Sequence, residues 1–258
     1  MSGESPNPIA VGWSILGAMR KRRPDPAGDG VVDHGDLAGI LGILRESGVA
    51  ALPEERDRIA AYRTLLADLD PDELSKDEAL AYWVNLYNAG ALDVAAQAAE
   101  GGVPSVLRIP GAFSKPRVSV AGESLSLDDI EHGKIRRFQD PRIHGALVCG
   151  SASCPTLRYE PYRGADIDRQ LDSQMRAFLA GGGAIYEPVT NRLLLSRVLL
   201  WYGADFVRPH RMPTWIPVSK RAVGAAINEW LDPDLQAQSV GATVAFQSYD
   251  WALACSIG

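Results

Sequence analysis

The chain has 258 residues, 46% of them hydrophobic and 22% charged, enough apolar material for a full core without disulfide or metal staples. A formal net charge of −6 removes any overall electrostatic pull toward nucleic acid or an anionic membrane, and no apolar run approaches the ~20 residues of a membrane span. Three cysteines are too few for a disulfide framework, and the first residues lack the basic-then-apolar order of a secretory signal; both point to a reducing, cytoplasmic setting.

Residues 1–32 read as a flexible N-terminal segment, in which Arg20-Lys-Arg-Arg23 is a solvated run ahead of a Pro/Gly-rich stretch. A single globular domain is expected over 33–258, since no repeat or low-complexity linker divides it. Helical spacing covers Asp33 to Ser47 and Glu54 to Leu69, with Gly48 and Pro71 as stops. Ser75 and Glu78 form a capping box for a helix from about Lys76 to Glu100. That helix is apolar on most sides and so belongs in the middle of the domain, which places Asn85 and Asn88 inside. Buried amides must be hydrogen-bonded, so both are expected to clamp neighbouring backbone, with a site-lining role as the minority alternative for Asn88.

Val118 to Leu125 reads as a small hairpin through Ala121-Gly-Glu123, and Ser126 caps a helix running to about Arg137. A strand is expected from Arg142 to Cys149, then a cysteine loop. Ala165 to Ala180 is an amphipathic helix ended by Gly181-Gly-Gly183, and Ile185 to Leu195 a hairpin turning near Thr190-Asn191. Ser196 caps another helix, Ser219 to Leu231 is a further one, and Val244 to Phe246 a last strand. Helices outnumber strands, which gives the α+β class: one helix-rich domain with a small, mostly antiparallel sheet.

Chemistry concentrates around Cys149-Gly-Ser-Ala-Ser-Cys-Pro155. Proline suits the first position of a helix, which would make Cys154 an N-cap whose unpaired amides and dipole favour a thiolate. The plain alternative is a small buried hydrophobe in a turn. A thiolate nucleophile calls for an imidazole. His34 and His210 stand apart from other reactive groups. His132 follows Asp128 by four residues, so that carboxylate would orient it, and Glu131 points toward the apolar face, as a functional carboxylate or a buried ion pair with an arginine. His144 lies on the expected strand, ~16 Å along from Cys149 at about 3.3 Å per residue, so the loop must double back for it to meet Cys154. Both histidines stay open as bases. A zinc site from His144, Cys149 and Cys154 is a lesser reading, with no fourth ligand to name. A Cys149–Cys154 disulfide is sterically conceivable, but the inferred compartment argues against a permanent one. Neither dinucleotide nor Walker glycine motifs occur, nor His-Glu-x-x-His or Gly-x-Ser-x-Gly, so no cofactor is expected.

Tyr82-Trp-Val-Asn-Leu-Tyr-Asn-Ala89, Ser126-Leu-Asp-Asp-Ile-Glu-His-Gly133 and Asp140-Pro-Arg-Ile-His-Gly-Ala-Leu-Val-Cys-Gly-Ser-Ala-Ser-Cys-Pro155 resemble blocks of the family called domain of unknown function 547 (DUF547). Trp201-Tyr-Gly-Ala-Asp-Phe206 and Tyr249-Asp-Trp251 do so too, and the likeness runs from about 54 to 251. The resemblance carries over Asn88, Glu131, His132, His144, Cys149 and Cys154. It also implies a distant likeness to papain-like thiol hydrolases, circularly permuted because both histidines precede Cys154. Gly145 stands where the family often has an aromatic, and Thr156 where it often has a second proline. Bacterial relatives resemble exported proteins, whereas this chain shows no signal; plant relatives carry coiled coils, which implies interaction roles.

The function expected from the sequence is thus a thiol-dependent hydrolase or acyl transferase. Cys154 is its nucleophile, His132 or His144 the base, and Glu131, Asp128 or Asn88 the orienter. The alternative is a non-enzymatic interaction domain whose His, Cys and Glu residues form a buried polar network. The sequence names no substrate, protein partner or oligomeric state.

Overall fold

The computed structural model describes residues 7–254 and 257–258. Within the segment expected to be flexible, Pro8–Ala18 forms helix α1, capped by the Asn7 side chain. It packs on residues 129–134 so closely that a Cβ on Gly133 would sit 2.6 Å from the Ala18 carbonyl oxygen. The basic run that follows is not simply solvated: Lys21 donates to the Ser124 carbonyl at 2.8 Å and Arg22 pairs with Asp72.

Helix α2 (Gly35–Ser47) packs on α3 (Leu52–Ala67), and α3 lies against α4 (Lys76–Glu100), whose bounds and near-complete burial match the sequence reading. Ser75 caps α4 by accepting from the Glu78 amide. Glu78 does not reach back in a closed capping box; its carboxylate accepts from the Val32 amide at 3.1 Å and the Gly164 amide at 2.7 Å, tying two remote loops to the start of α4. Further along, each buried asparagine is a two-way backbone clamp. Asn85 donates to the Tyr162 carbonyl at 2.8 Å and accepts from the Tyr162 amide at 3.0 Å. Asn88 does the same for the Ala146 carbonyl at 3.1 Å and the Val148 amide at 3.0 Å. Asn88→Ala would orphan both of those buried groups. It is expected to cost about 2–4 kcal/mol in urea unfolding.

The hairpin is β1 (Val118–Val120) with β2 (Glu123–Leu125), turning through Ala121 and Gly122, both at positive φ. The chain from Leu127 to Phe138 is helical, but its middle, Asp129–Lys134, is a π-helical turn and its end a 3-10 turn. The strand expected over 142–149 is absent. Pro141–Gly145 is instead a 3-10 helix capped by the Asp140 carboxylate, which accepts from the Arg142 amide at 2.9 Å. Beyond it, Asn88 takes the backbone groups that a sheet ladder would use. Residues 143–148 are all buried, so alternation there has no outer face to mark.

Helix α5 (Ile167–Phe178) ends in a π turn through Gly183, then β3 (Ala184–Glu187) and β4 (Arg192–Leu195) form the second hairpin, with Asn191 at positive φ. Helices α6 (Arg197–Trp201), α7 (Gly203–Val207), α8 (Lys220–Ala226) and α9 (Pro233–Gln238) follow, and β5 (Thr243–Phe246) closes the sheet parallel to β4. Sheet order is therefore β3-β4-β5, and the class is α+β as read from the sequence. The core has two apolar clusters, one around α4 and one enclosed by β3–β5 with α6, α7 and α8, and α5 contributes to both. No helix among the described residues is long and apolar enough to cross a membrane.

Candidate functional site

The site residues lie where the two apolar clusters meet. In the π turn, Glu131 and His132 both turn inward and are buried. An i, i+4 pair stacks on one face of an α-helix, and the wider π turn moves the two positions apart. Asp128 accordingly pairs with the Ser14 hydroxyl of α1. Arg136, one turn on, donates from Nη1 to His132 Nδ1 at 3.2 Å, which leaves His132 its Nε2–H tautomer. Burial is the main cause that pulls the His132 imidazole down to about 4, and the Arg136 charge adds to it, so the ring is neutral at physiological pH.

Asp205 on α7 is the hub. Its Oδ2 accepts from Arg136 Nε at 2.8 Å and from His144 Nε2 at 2.9 Å; its Oδ1 accepts from Arg136 Nη2 at 2.9 Å and from the Thr214 amide at 3.2 Å. Burial alone would raise this carboxyl, but the His144 and Arg136 hydrogen bonds outweigh it and hold it at about 2. The His144 ring stacks on Tyr202 at 4.0 Å between centroids and 16° between planes. The Tyr202 and Tyr87 hydroxyls both bond Glu131. Burial opposes ionisation of Glu131, yet the two imidazoles, the Tyr202 hydroxyl and Arg136 together keep its carboxyl below the ordinary range. Glu131, His132, Arg136, His144 and Asp205 thus form one closed, buried network that joins the two clusters.

The cysteine loop stands beside this network. Cys149 and Cys154 are joined as a disulfide with Cα atoms 6.2 Å apart, the pairing the sequence left sterically open. No helix begins at Pro155: the Cys154 amide closes a turn on the Ser151 carbonyl at 3.1 Å, and α5 starts only at Ile167, so the proposed N-cap is absent. What meets the Cys154 sulfur is the Cys149 backbone N–H at 2.8 Å and the Tyr249 hydroxyl at 3.5 Å. Tyr249 also lies 2.8 Å from Ser151 Oγ and 3.2 Å from Cys149 Sγ, and Ser151 Oγ is 3.0 Å from Cys149 Sγ. Burial above all pushes the Tyr249 hydroxyl up to about 12, so it remains a donor. Both cysteines are half-buried and within reach of solvent.

The loop is held in place from two sides. Gly150, at φ +79°, packs where a Cβ would meet Val106 at 3.1 Å and Ala95 of α4 at 3.2 Å. The C-terminal segment pairs with it: the Ala152 amide donates to the Ala252 carbonyl at 2.9 Å, the Ser153 amide to the Asp250 carbonyl at 3.2 Å, and the Ala254 amide to the Gly150 carbonyl at 3.1 Å. Trp201, Tyr249 and Trp251 form an aromatic cluster with centroid separations of 4.8, 4.5 and 5.8 Å, and Trp201 is part-exposed.

Of the residues singled out in the sequence, Glu131, His132 and His144 come together, and Asn88 acts at one remove by holding 146–148. Neither histidine is a hydrogen-bond partner of the Cys154 sulfur. His144, Cys149 and Cys154 do not converge as zinc ligands either; His144 is held by Asp205, and no group of three His, Cys, Asp or Glu among the described residues is arranged to hold a metal ion. His34 is buried 2.7 Å from the Tyr62 hydroxyl, and His210 is exposed. The third cysteine, Cys255, lies outside the described residues. Arg136, Ser151, Tyr202, Asp205 and Tyr249 were not among the candidate site residues, although all but Arg136 lie in the blocks that carry the family resemblance. A signal existed for Asp205, a lone carboxylate inside the apolar block Gly203-Ala-Asp-Phe206, and for Arg136, four residues after His132.

The sequence model of the family described as protein of unknown function, DUF547, matches residues 71–179. Searches of curated proteins and of solved structures each returned no match, and the expected likeness to papain-like hydrolases is not borne out by them. Tyr202, Asp205 and Tyr249 lie beyond the matched span. The matched span carries the asparagine clamps, the π turn, His144 and both loop cysteines.

Proposed function

We propose that this protein is a thiol-dependent acyl transferase or hydrolase whose nucleophile is Cys154 in its reduced form. The observation that carries the reading is the pair of donors, the Cys149 N–H and the Tyr249 hydroxyl, on the Cys154 sulfur. Hydrogen bonds to a charged form favour that form, so the thiolate is stabilised without an imidazole beside it. The thiolate attacks an acyl carbonyl, a thioester forms on Cys154, and the leaving group departs with the electron pair; water or a second acceptor then takes the acyl group. No imidazole meets the sulfur to protonate a departing amine. That favours thioesters, whose thiolate leaves without a proton, over amides. His144, Asp205 and Tyr202 serve as positioning residues: Tyr202 is stacked by His144, and its neighbour Trp201 packs on the Tyr249 ring.

The test is the pH dependence of iodoacetamide labelling in Cys149→Ala, which keeps the backbone N–H and frees Cys154. A labelling midpoint at least one unit below the ordinary ~8.5 is expected, which at pH 7 gives roughly tenfold more thiolate. Covalent acylation of Cys154 by a simple thioester probe, read by mass spectrometry, is expected alongside. A midpoint at or above the ordinary value in the folded variant, with no acylation, would exclude the reading. The closed buried network favours a second one, an interaction domain with a polar core, and an inert Cys154 would leave that standing.

A further inference from the structure

We infer that the Cys149–Cys154 disulfide is a site of thiol–disulfide exchange, opened by a dithiol that attacks Cys149 and expels Cys154. The inference rests on the same donors that support Cys154 as nucleophile and adds a redox gate to that site. Two sulfurs share the loop, but their surroundings differ. The Cys149 N–H is a fixed donor aimed at Cys154 Sγ. Around Cys149 Sγ the donors among the described residues are two hydroxyl protons, those of Ser151 and Tyr249, and these also serve each other and Cys154. The better-stabilised thiolate is the better leaving group, so the S–S bond should break toward Cys154.

The exchange balances as follows. One thiolate of the dithiol bonds to Cys149 Sγ as the Cys149–Cys154 bond breaks, and its electron pair goes to Cys154 Sγ. The second sulfur of the dithiol, deprotonated by solvent, closes on the first. This releases Cys149 as a thiolate that takes a proton from water. Two electrons pass from the dithiol to the protein. The loop then stays in place, because Gly150, Ala152 and Ser153 remain paired with the C-terminal segment, which keeps the two thiols within reach for reclosure. In the closed form the nucleophile is covalently blocked; in the open form it is free.

The experiment uses the full chain in native buffer, with thiols quenched by N-ethylmaleimide and located by peptide mapping that separates Cys255. Air-equilibrated protein is expected to show the Cys149–Cys154 disulfide. Dithiothreitol should open it without denaturant, and oxidised glutathione should close it again. Brief exposure to reduced glutathione should place the mixed disulfide on Cys149 in several-fold excess over Cys154. Tyr249→Phe should slow opening several-fold while the unfolding midpoint falls little. A disulfide that opens only in denaturant, a mixed disulfide mainly on Cys154, or two cysteines that never join under oxidised glutathione would each overturn the inference. The two readings fail separately. An irreducible disulfide with a reactive Cys154 in Cys149→Ala removes the gate and leaves the nucleophile; directional exchange with an unacylated Cys154 does the reverse.

Discussion

Asp205→Ala is expected to lower the free energy of unfolding by about 3–5 kcal/mol, enough to remove a large share of the stability of a domain this size. The cause is what remains. Arg136 is 1% exposed, and Asp205, at 0%, is its partner through two guanidinium nitrogens, so removing the carboxylate leaves a buried cation with no paired anion, held by the Thr214 carbonyl, a neutral imidazole and the faces of Tyr202 and Trp215. The His144 Nε2–H and the Thr214 amide lose their acceptor as well. Urea unfolding measures the loss, and a value below 1 kcal/mol would mean that Arg136 reaches solvent in the variant. Replacing both partners by apolar residues, Arg136→Met with Asp205→Leu, should be milder than the single change, because no charge is then stranded. The pair also has an acid limit. The folded-state carboxyl sits near 2 and the unfolded one near 3.8, so its contribution is complete above about 4 and disappears as pH falls to about 2.

The second large effect is a pair of opposite pH slopes that mask each other in the unaltered chain. His132 titrates near 4 when folded and near 6.5 when unfolded. Between those values the unfolded chain binds a proton that the folded one refuses, so stability falls on acidification, by about 3 kcal/mol across the window. Asp128 behaves in the reverse sense. Burial first, with the neighbouring Glu131 and Asp129 charges, raises its carboxyl from 3.8 to about 6, against the pull of the Ser14 hydroxyl. Here the folded chain binds the proton first, and stability rises by about 2–3 kcal/mol as pH falls through about 6 to 4. Urea midpoints at pH 6.5 and 5.0 separate the two. Asp128→Asn should leave a protein that loses stability over that interval, and His132→Gln one that gains it. Parallel slopes in both variants would show that neither group carries these shifts.

Local signals in the chain carried far. The bounds of α4, the caps at Ser75 and Ser196, both hairpins and the amphipathic α5 followed from spacing and turn residues, because each depends on contacts within a few positions. The asparagine clamps were legible for a related reason: an amide inside an apolar helix has to find backbone. The stretch 142–149 failed the same kind of reading. All of 143–148 is buried, so the apolar alternation that suggested a strand carried no record of a solvent face, and a 3-10 turn capped by Asp140 took its place. Pro155 likewise marked a helix start that the loop does not make.

By itself, then, the sequence determined the helix-rich α+β class, the central helix and the DUF547 likeness of residues 71–179. Only the tertiary structure decided which reactive residues meet. It drew Arg136 and Asp205, 69 positions apart, into one buried pair, brought Tyr249 to sulfurs nearly a hundred positions earlier, and joined Cys149 to Cys154. The physical reason is that periodicity records whether a side chain is buried and not against what. A buried charge or thiol acquires its role from partners that long-range packing selects.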